Sequence, residues 1–213
     1  MPRLRVKFYR GEEVKFISHL DLMRLWQRAL HRAGMPLAYT EGFSPHPKIS
    51  LAAPLAIGVT SEAELMDVVL TRWVSPHFFV SALNKQLPPG VGIIKAQMVP
   101  LSEPSLQSIV RQAEYKVTLE TDRTREEVEK SLDKLLEMEH LPWQHLRDTG
   151  PRKYDLRALI HDLWLIELEP PLCVLGMRLR CDSGGSGRPE QVTLALGFKE
   201  RPLSIHRTKL ILK

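Results

Sequence analysis

Apolar and polar positions alternate through residues 3–9 (RLRVKFY), with Leu4, Val6 and Phe8 on one side and Arg3, Arg5 and Lys7 on the other. Period two predicts a β-strand with one buried and one basic surface. The period lengthens after Ser18, which is followed three residues later by Asp21, the spacing of an N-cap with an acidic first turn. Gly34 and Pro36 close this run, so a helix is predicted over 19–33. Residues 35–47 (MPLAYTEGFSPHP) hold three prolines and a glycine and read as an ordered, irregular loop. Strands are predicted over 48–58, 63–70 and 91–99, with a helix over 76–87 entered through Ser75 and Pro76.

A polar connector with Pro100 and Pro104 follows, and a second series begins. It comprises a strand at 114–121, a helix at 124–138, strands at 141–147 and 172–181, a short helix opened by Pro189 and ended by Gly197, and a strand at 203–212. The order βαββαβ, met twice, predicts an α+β protein of two ferredoxin-like halves with antiparallel sheets. The expected domains are 1–101, carrying the basic helix and the His/Lys loop, and 112–213, with an irregular insertion at 148–171. The halves share element order and no detectable sequence repeat.

The 213 residues, 43% apolar and 26% charged, suffice for a sizeable core. No apolar run reaches the roughly 18–20 residues of a membrane helix, and MPRLRVKFYRGEEVKF lacks the apolar region of a signal peptide. A cytoplasmic protein without membrane contact is expected. Two cysteines, Cys173 and Cys181, are too few for a disulfide framework or a four-cysteine metal site, and read as small buried thiols. The chain contains no CxxxCxxC, GxxxxGK[ST] or GxGxxG, which argues against cluster- or nucleotide-driven chemistry within it, and no cofactor is expected.

Charge sharpens the picture. Residues 1–50 hold nine bases and four acids, whereas the remaining 163 balance at 21 against 21. A local basic excess points to an anionic partner, commonly a phosphate backbone, or else to a solvated face. Arg24, Arg28 and Arg32, at i, i+4 and i+8, line one ridge of the first helix, where planar guanidinium forks suit phosphate. Asp21 and the Glu12–Glu13 pair could instead neutralise them.

His19, in the first helical turn, has Ser18, Asp21, His46 and Lys48 as companions. A neutral imidazole near a second histidine and a lysine could act as general acid or base on an RNA 2′-hydroxyl, or could simply cap and pack. His19, Asp21 and His46 lack a tight metal-ligand spacing, and no metal is expected. The loop from Tyr39 to Lys48 (YTEGFSPHPK) places Tyr39 and Phe43 among polar residues, suiting base stacking or anchorage to the core. SGGSGRP (183–189) offers backbone N–H groups and Arg188 to an anion, or forms a hairpin connection. Asp155 and Arg157, flanking Leu156, suggest an ion pair or a binding edge.

The stretch FISHLDLMRLWQRALHRAGMPLAYTEGFSPHPKISLAAPLAIGVTSEAELMDV (16–68), with the later YDLRALI, SGRP and HRTKLIL, resembles the radical-SAM-linked domain-of-unknown-function family. Ser18, His19, Asp21, Arg24, Arg28, Tyr39, Gly42, Phe43, His46, Pro47 and Lys48 match its signature. The resemblance implies a bacterial cytoplasmic protein working beside a separate radical SAM protein, in a family whose domain occurs alone or fused behind such an enzyme. A looser architectural similarity, to CRISPR repeat-processing endoribonucleases, extends only weakly to SGGSGRP. Together these readings predict an accessory protein that binds RNA (tRNA or rRNA) and presents it to a modifying or processing partner. Phosphates would meet Arg24, Arg28, Arg32, Lys48 and Arg188, a base would stack on Tyr39 or Phe43, and Ser18, Asp21, Gly42 and Pro47 would line the site. The rival readings are a metal-independent ribonuclease or RNA-modifying enzyme using His19 and His46, and a protein-docking module for the radical SAM enzyme.

Overall fold

The computed structural model describes residues 1–147 and 150–213, which fall into two units, Met1–Val110 with Lys213, and Arg111–Leu212. In unit 1 the elements are β1 (Arg3–Arg10), α1 (His19–Arg32), β2 (Ile49–Leu51), β3 (Thr60–Val69), α2 (Pro76–Asn84), β4 (Val91–Val99) and α3 (Leu106–Ile109). The strands lie in the order β2-β3-β1-β4, every neighbour antiparallel, which is the split βαβ arrangement. Leu4, Val6 and Phe8 of β1 are fully buried in one core with Leu22, Trp26, Ala29 and Leu30 of α1 and Phe79 and Leu83 of α2. Phe8 meets Trp26 edge-on at 4.9 Å, a geometry aromatic quadrupoles favour.

Only three residues of the predicted 48–58 strand are extended, because the segment beyond Leu51 leaves the sheet. The expected basic surface of β1 is also corrected. Arg5 forms a two-pronged pair with Asp67, directly opposite on β3 (Nε–Oδ1 2.9 Å, Nη2–Oδ2 3.0 Å). Arg3 donates to the carbonyls of Pro100 and Glu103. With their guanidinium groups taken by Asp67 and by two carbonyls of the segment after β4, Arg3 and Arg5 serve the fold.

Unit 2 comprises β5 (Val110–Glu120), α4 (Arg125–Glu137), β6 (Pro142–Arg147), β7 (Gly150–Asp155), β8 (Ile160–Glu169), β9 (Leu172–Asp182), β10 (Gly185–Ser186), α5 (Pro189–Ala195) and β11 (Ser204–Leu212). The main strands run β8-β9-β5-β11, and β10 extends the edge of β9. With β5, β8, β9 and β11 as its four strands, this order repeats that of unit 1. A reciprocal capping box between Thr124 and Glu127 starts α4.

The second strand of this half was expected at 141–147. It is instead β8, inside the stretch expected to be an irregular insertion, and 142–147 pairs with β7 in a separate two-stranded hairpin. Two register shifts, between Ile160 and Asp162 and between Leu165 and Glu167, break the period-two pattern of β8. The expected insertion begins at residues 148 and 149, which lie outside the described residues. No helix among the described residues is long and apolar enough to cross a membrane.

Candidate functional site

The chain enters α1 through a clamp. Arg10, 1% exposed at the end of β1, donates to the carbonyls of Val14 (3.2 Å), Lys15 (2.9 Å) and Ile17 (2.6 Å). Three carbonyls held by one buried guanidinium fix the path to Ser18, whose hydroxyl caps the helix by accepting from the Asp21 backbone N–H (3.1 Å). The same hydroxyl donates to Asp21 Oδ2 at 2.7 Å, and Arg24 Nη1 donates to Asp21 Oδ1 at 3.2 Å. The Ser18 hydroxyl chiefly, and then Arg24, hold the Asp21 carboxyl below its ordinary range. Ser18, Asp21 and Arg24 thus form a short polar chain on the solvent side of the helix start.

The exposed face of α1 carries Leu20, Arg24, Arg28, His31 and Arg32. Among the described residues, Arg28 donates only to the Arg24 carbonyl (3.3 Å) and pairs with no carboxylate. Arg32 differs: Nη2 donates to the Gln86 carbonyl at 2.6 Å and Nε to its side chain at 3.3 Å, tying the end of α1 to the segment after α2. His31, which sequence reasoning passed over, shares a hydrogen bond of 3.0 Å with the Tyr39 hydroxyl. That contact joins the ridge to the loop. The spacing was legible, since His31 lies three residues beyond Arg28 on the same helix face.

Backbone bonds shape the loop. Tyr39 and Pro47 form an isolated bridge, the Thr40 N–H donates to the His46 carbonyl (2.9 Å), and the His46 N–H donates to Thr40 Oγ1 (3.0 Å). Lys48 is held between the Ala38 carbonyl and the Val69 N–H, at 2.8 and 3.0 Å. The tip 41–45 therefore projects, turning at Gly42 (φ +119°) and displaying a fully exposed Phe43. Core anchorage is excluded for Phe43, and Tyr39 is half-exposed with its hydroxyl on His31.

Among the described residues, no hydrogen bond or ion pair joins His19 to His46, and no group of three or more His, Cys, Asp or Glu is arranged to hold a metal ion.

Arg188 lies in unit 2, beside a glycine loop whose backbone donors are already used. Asp182 Oδ1 accepts from the N–H groups of Gly184 (2.7 Å) and Gly185 (3.2 Å), and both its oxygens accept from Arg180 Nε (2.9 and 3.0 Å). Of the two readings of this loop, the hairpin connection is the one seen, β10 pairing with the end of β9, while the Gly184 and Gly185 N–H groups that an anion would need are taken by the protein's own carboxylate. Asp155 and Arg157 form no ion pair with each other. Asp155 accepts from the Leu141 and Arg157 N–H groups and contacts His140, while Arg157 donates to the Leu136 and Ile160 carbonyls. Cys173 and Cys181 are buried thiols that form no disulfide, and burial pushes the Cys173 thiol up.

A family model described as an uncharacterized protein conserved in bacteria, DUF2344, matches residues 3–189. Comparison with curated proteins finds no match. Among solved structures, a chain of a Cbf5-Nop10-Gar1 complex aligns with 97% of this chain and 48% of its own length, at a TM-score of 0.55 and 12% identity. A chain of the archaeal box H/ACA sRNP Nop10-Cbf5 complex aligns with 98% and 48%, at 0.50 and 10% identity. A chain of an H/ACA RNP bound to a substrate RNA containing 2′-deoxyuridine aligns with 97% and 47%, also at 0.50 and 10%. The chain thus spans about half the length of the solved chains it matches, and at these identities the likeness is one of fold.

Proposed function

The chain belongs to the DUF2344 family of uncharacterized bacterial proteins, and on that premise we propose that it is a cytoplasmic RNA-binding accessory protein. It binds tRNA or rRNA through unit 1 and presents it to a radical SAM partner that modifies or processes it. One observation carries the RNA reading. The Arg24–Arg28 ridge, poor in neutralising partners, is joined through His31 and Tyr39 to a loop that displays Phe43. Guanidinium groups beside an exposed ring suit phosphates flanking an unpaired base. A further support is that a chain of like fold comes from an H/ACA RNP bound to a substrate RNA. The radical SAM partner rests on the resemblance of residues 16–68 to the radical-SAM-linked family.

In this reading Arg24, Arg28 and Lys48 meet phosphate and Phe43 stacks on a base, with Tyr39 holding the loop to the ridge. Arg32 sets the end of the helix. Ser18 and Asp21 orient Arg24, and Gly42 and Pro47 shape the tip. His19 and His46 line the site without a catalytic task.

Binding of cellular RNA across a salt series, with wild type and an R24A/R28A variant, tests this. Two lost phosphate contacts should flatten the slope of log K against log salt by about 1.4 on single strands and about 1.8 on duplex. Retention of RNA with unchanged affinity and slope in the variant would remove the ridge from the interface.

A docking reading has its own observation. Phe16, 71% exposed, lies beside Gly58 just before α1, Ile57 next to that glycine in the chain is exposed, and Leu20 is exposed in the first turn of α1. Such residues suit a protein partner. Co-purification with a radical SAM protein after nuclease treatment, unaffected by R24A/R28A, supports it. Loss of the partner on nuclease treatment counts against it.

A further inference from the structure

We infer that unit 2 carries a separate anion site, a cavity that takes a terminal phosphate monoester. The cavity, about 230 Å³, is walled by the β6–β7 hairpin (His145, Tyr154), by the turn that follows (Ala158, Leu159), and by the glycine loop with Arg180 and Arg188. It falls below the roughly 300–1,000 Å³ of pockets that enclose drug-sized ligands, which favours one small group over a dinucleotide or a large cofactor.

Its charge is left open on one side. Arg188 is exposed, and among the described residues its guanidinium meets only His145 Nε2, at 3.4 Å, a partner that supplies no negative charge. Arg180 gives only its Nε to Asp182, so its outer nitrogens remain free of that carboxylate. The one carboxylate in the wall, Asp155, is occupied by two backbone N–H groups and His140. Because Asp182 fills the glycine nest, an incoming anion must be held by side chains.

The wall is also preorganised. The Gly187 N–H donates to the Arg180 carbonyl at 2.9 Å, and a Cβ on Gly187 would stand 3.0 Å from both the Leu159 carbonyl oxygen and Leu179 Cβ. The loop is therefore locked against the turn. Little ordering remains to be done when a ligand arrives, which favours binding.

Shape and oxygen count select the ligand. A phosphodiester must run out of a site at both ends, whereas a monoester enters a three-walled cavity by its single substituent. A monoester also presents three terminal oxygens, against two non-bridging oxygens for a diester, to the exposed Arg188 guanidinium and to the outer nitrogens of the Asp182-paired Arg180. This site is independent of the α1 ridge.

The full-length protein is titrated with a short oligoribonucleotide bearing a 5′-phosphate, a 3′-phosphate or hydroxyl ends, with adenosine 5′-monophosphate and with inorganic phosphate. A phosphorylated end should bind at least about tenfold more tightly than the hydroxyl-ended strand. The preference should vanish in Arg188→Gln and in Ala158→Phe, which fills the cavity while keeping its charges. R24A/R28A should weaken all strands and leave the ratio intact. Binding of the mononucleotide or phosphate, with the same sensitivity to Arg188→Gln, makes a free monoester the ligand and upholds the site even if no strand binds and the RNA reading falls. Equal binding of all strands with no uptake of mononucleotide or phosphate overturns the proposal. So does a preference that survives both variants.

Discussion

Replacing Asp67 with asparagine should destabilise unit 1 by about 3 kcal/mol, the lower end of the cost of breaking a buried ion pair. Asp67 is 3% exposed, and the Arg5 side chain that grips both its oxygens is 10% exposed. Two unit charges about 4 Å apart attract by about 4 kcal/mol at an effective dielectric constant of about 20. The amide keeps an acceptor for Arg5 and loses that attraction. Glu103, 44% exposed and 3.3 Å from Arg5, recovers part of it, hence the lower end of the range. At about 2–4 °C per kcal/mol for a chain of this size, thermal unfolding should fall by about 6–12 °C. An R5M/D67L double variant, which removes the Arg5–Asp67 pair and fills the space, should regain part of the loss and not all of it, because the buried Arg3, whose Nε stands 3.8 Å from Asp67 Oδ2, still loses its carboxylate neighbour. It should also leave the salt slope of RNA binding unchanged, because Arg5 belongs to the fold. An Asp67→Asn variant within 1 kcal/mol of wild type would refute the reasoning and return Arg5 to the pool of phosphate ligands.

Two further outcomes concern unit 2. Gly176 on β9 faces Trp164 on β8, and a Cβ there would overlap the indole, so Gly176→Ala should cost about 1–3 kcal/mol of overpacking, read by urea denaturation. The Asp155 carboxyl is held below its ordinary value of 3.8, first by the Leu141 N–H and then by His140. A depressed folded-state value contributes stability above the unfolded value and loses it as pH falls through the folded one. The stability gap between wild type and Asp155→Asn should therefore be constant at neutral pH and close below pH 3.8, and a gap that persists in acid would contradict this assignment.

Elements that obey one period were legible from residues alone. The helix over 19–33 emerges as His19–Arg32, and the strand over 91–99 with the predicted bounds, because cap residues and apolar periodicity agree there. β8 escaped because its two register shifts bring Ile160 and Leu163 to the same buried side three residues apart, a spacing that imitates neither helix nor flat strand. The strand over 141–147 emerges as β6, whereas its hairpin partner β7 escaped because GPRKYD, with Pro151 inside it, carries no apolar alternation. Among candidate site residues, the ridge followed from helical spacing. The partners that sort its members, Gln86 for Arg32 and Tyr39 for His31, are remote in sequence or cross from loop to helix, and only folding reveals them.

That sorting changes what the basic excess of residues 1–50 means. Arg3, Arg5 and Arg10 are spent on carbonyls and on Asp67, so much of the excess never reaches solvent as free charge. Arg24 keeps a pair with Asp21, yet the two side chains are 65% and 53% exposed, and exposed pairs of this kind contribute only about 0–1 kcal/mol. A phosphate can displace Asp21 from Arg24 at small cost. It cannot free Arg32 as cheaply, since the Gln86 carbonyl would lose a charged donor that fixes the helix end. The anion-binding capacity of the ridge is therefore concentrated on Arg24 and Arg28. The Tyr39–His31 bond meets α1 on the turn next to Arg28, so the loop that displays Phe43 leaves the helix beside the two guanidiniums on which the proposed RNA contact rests.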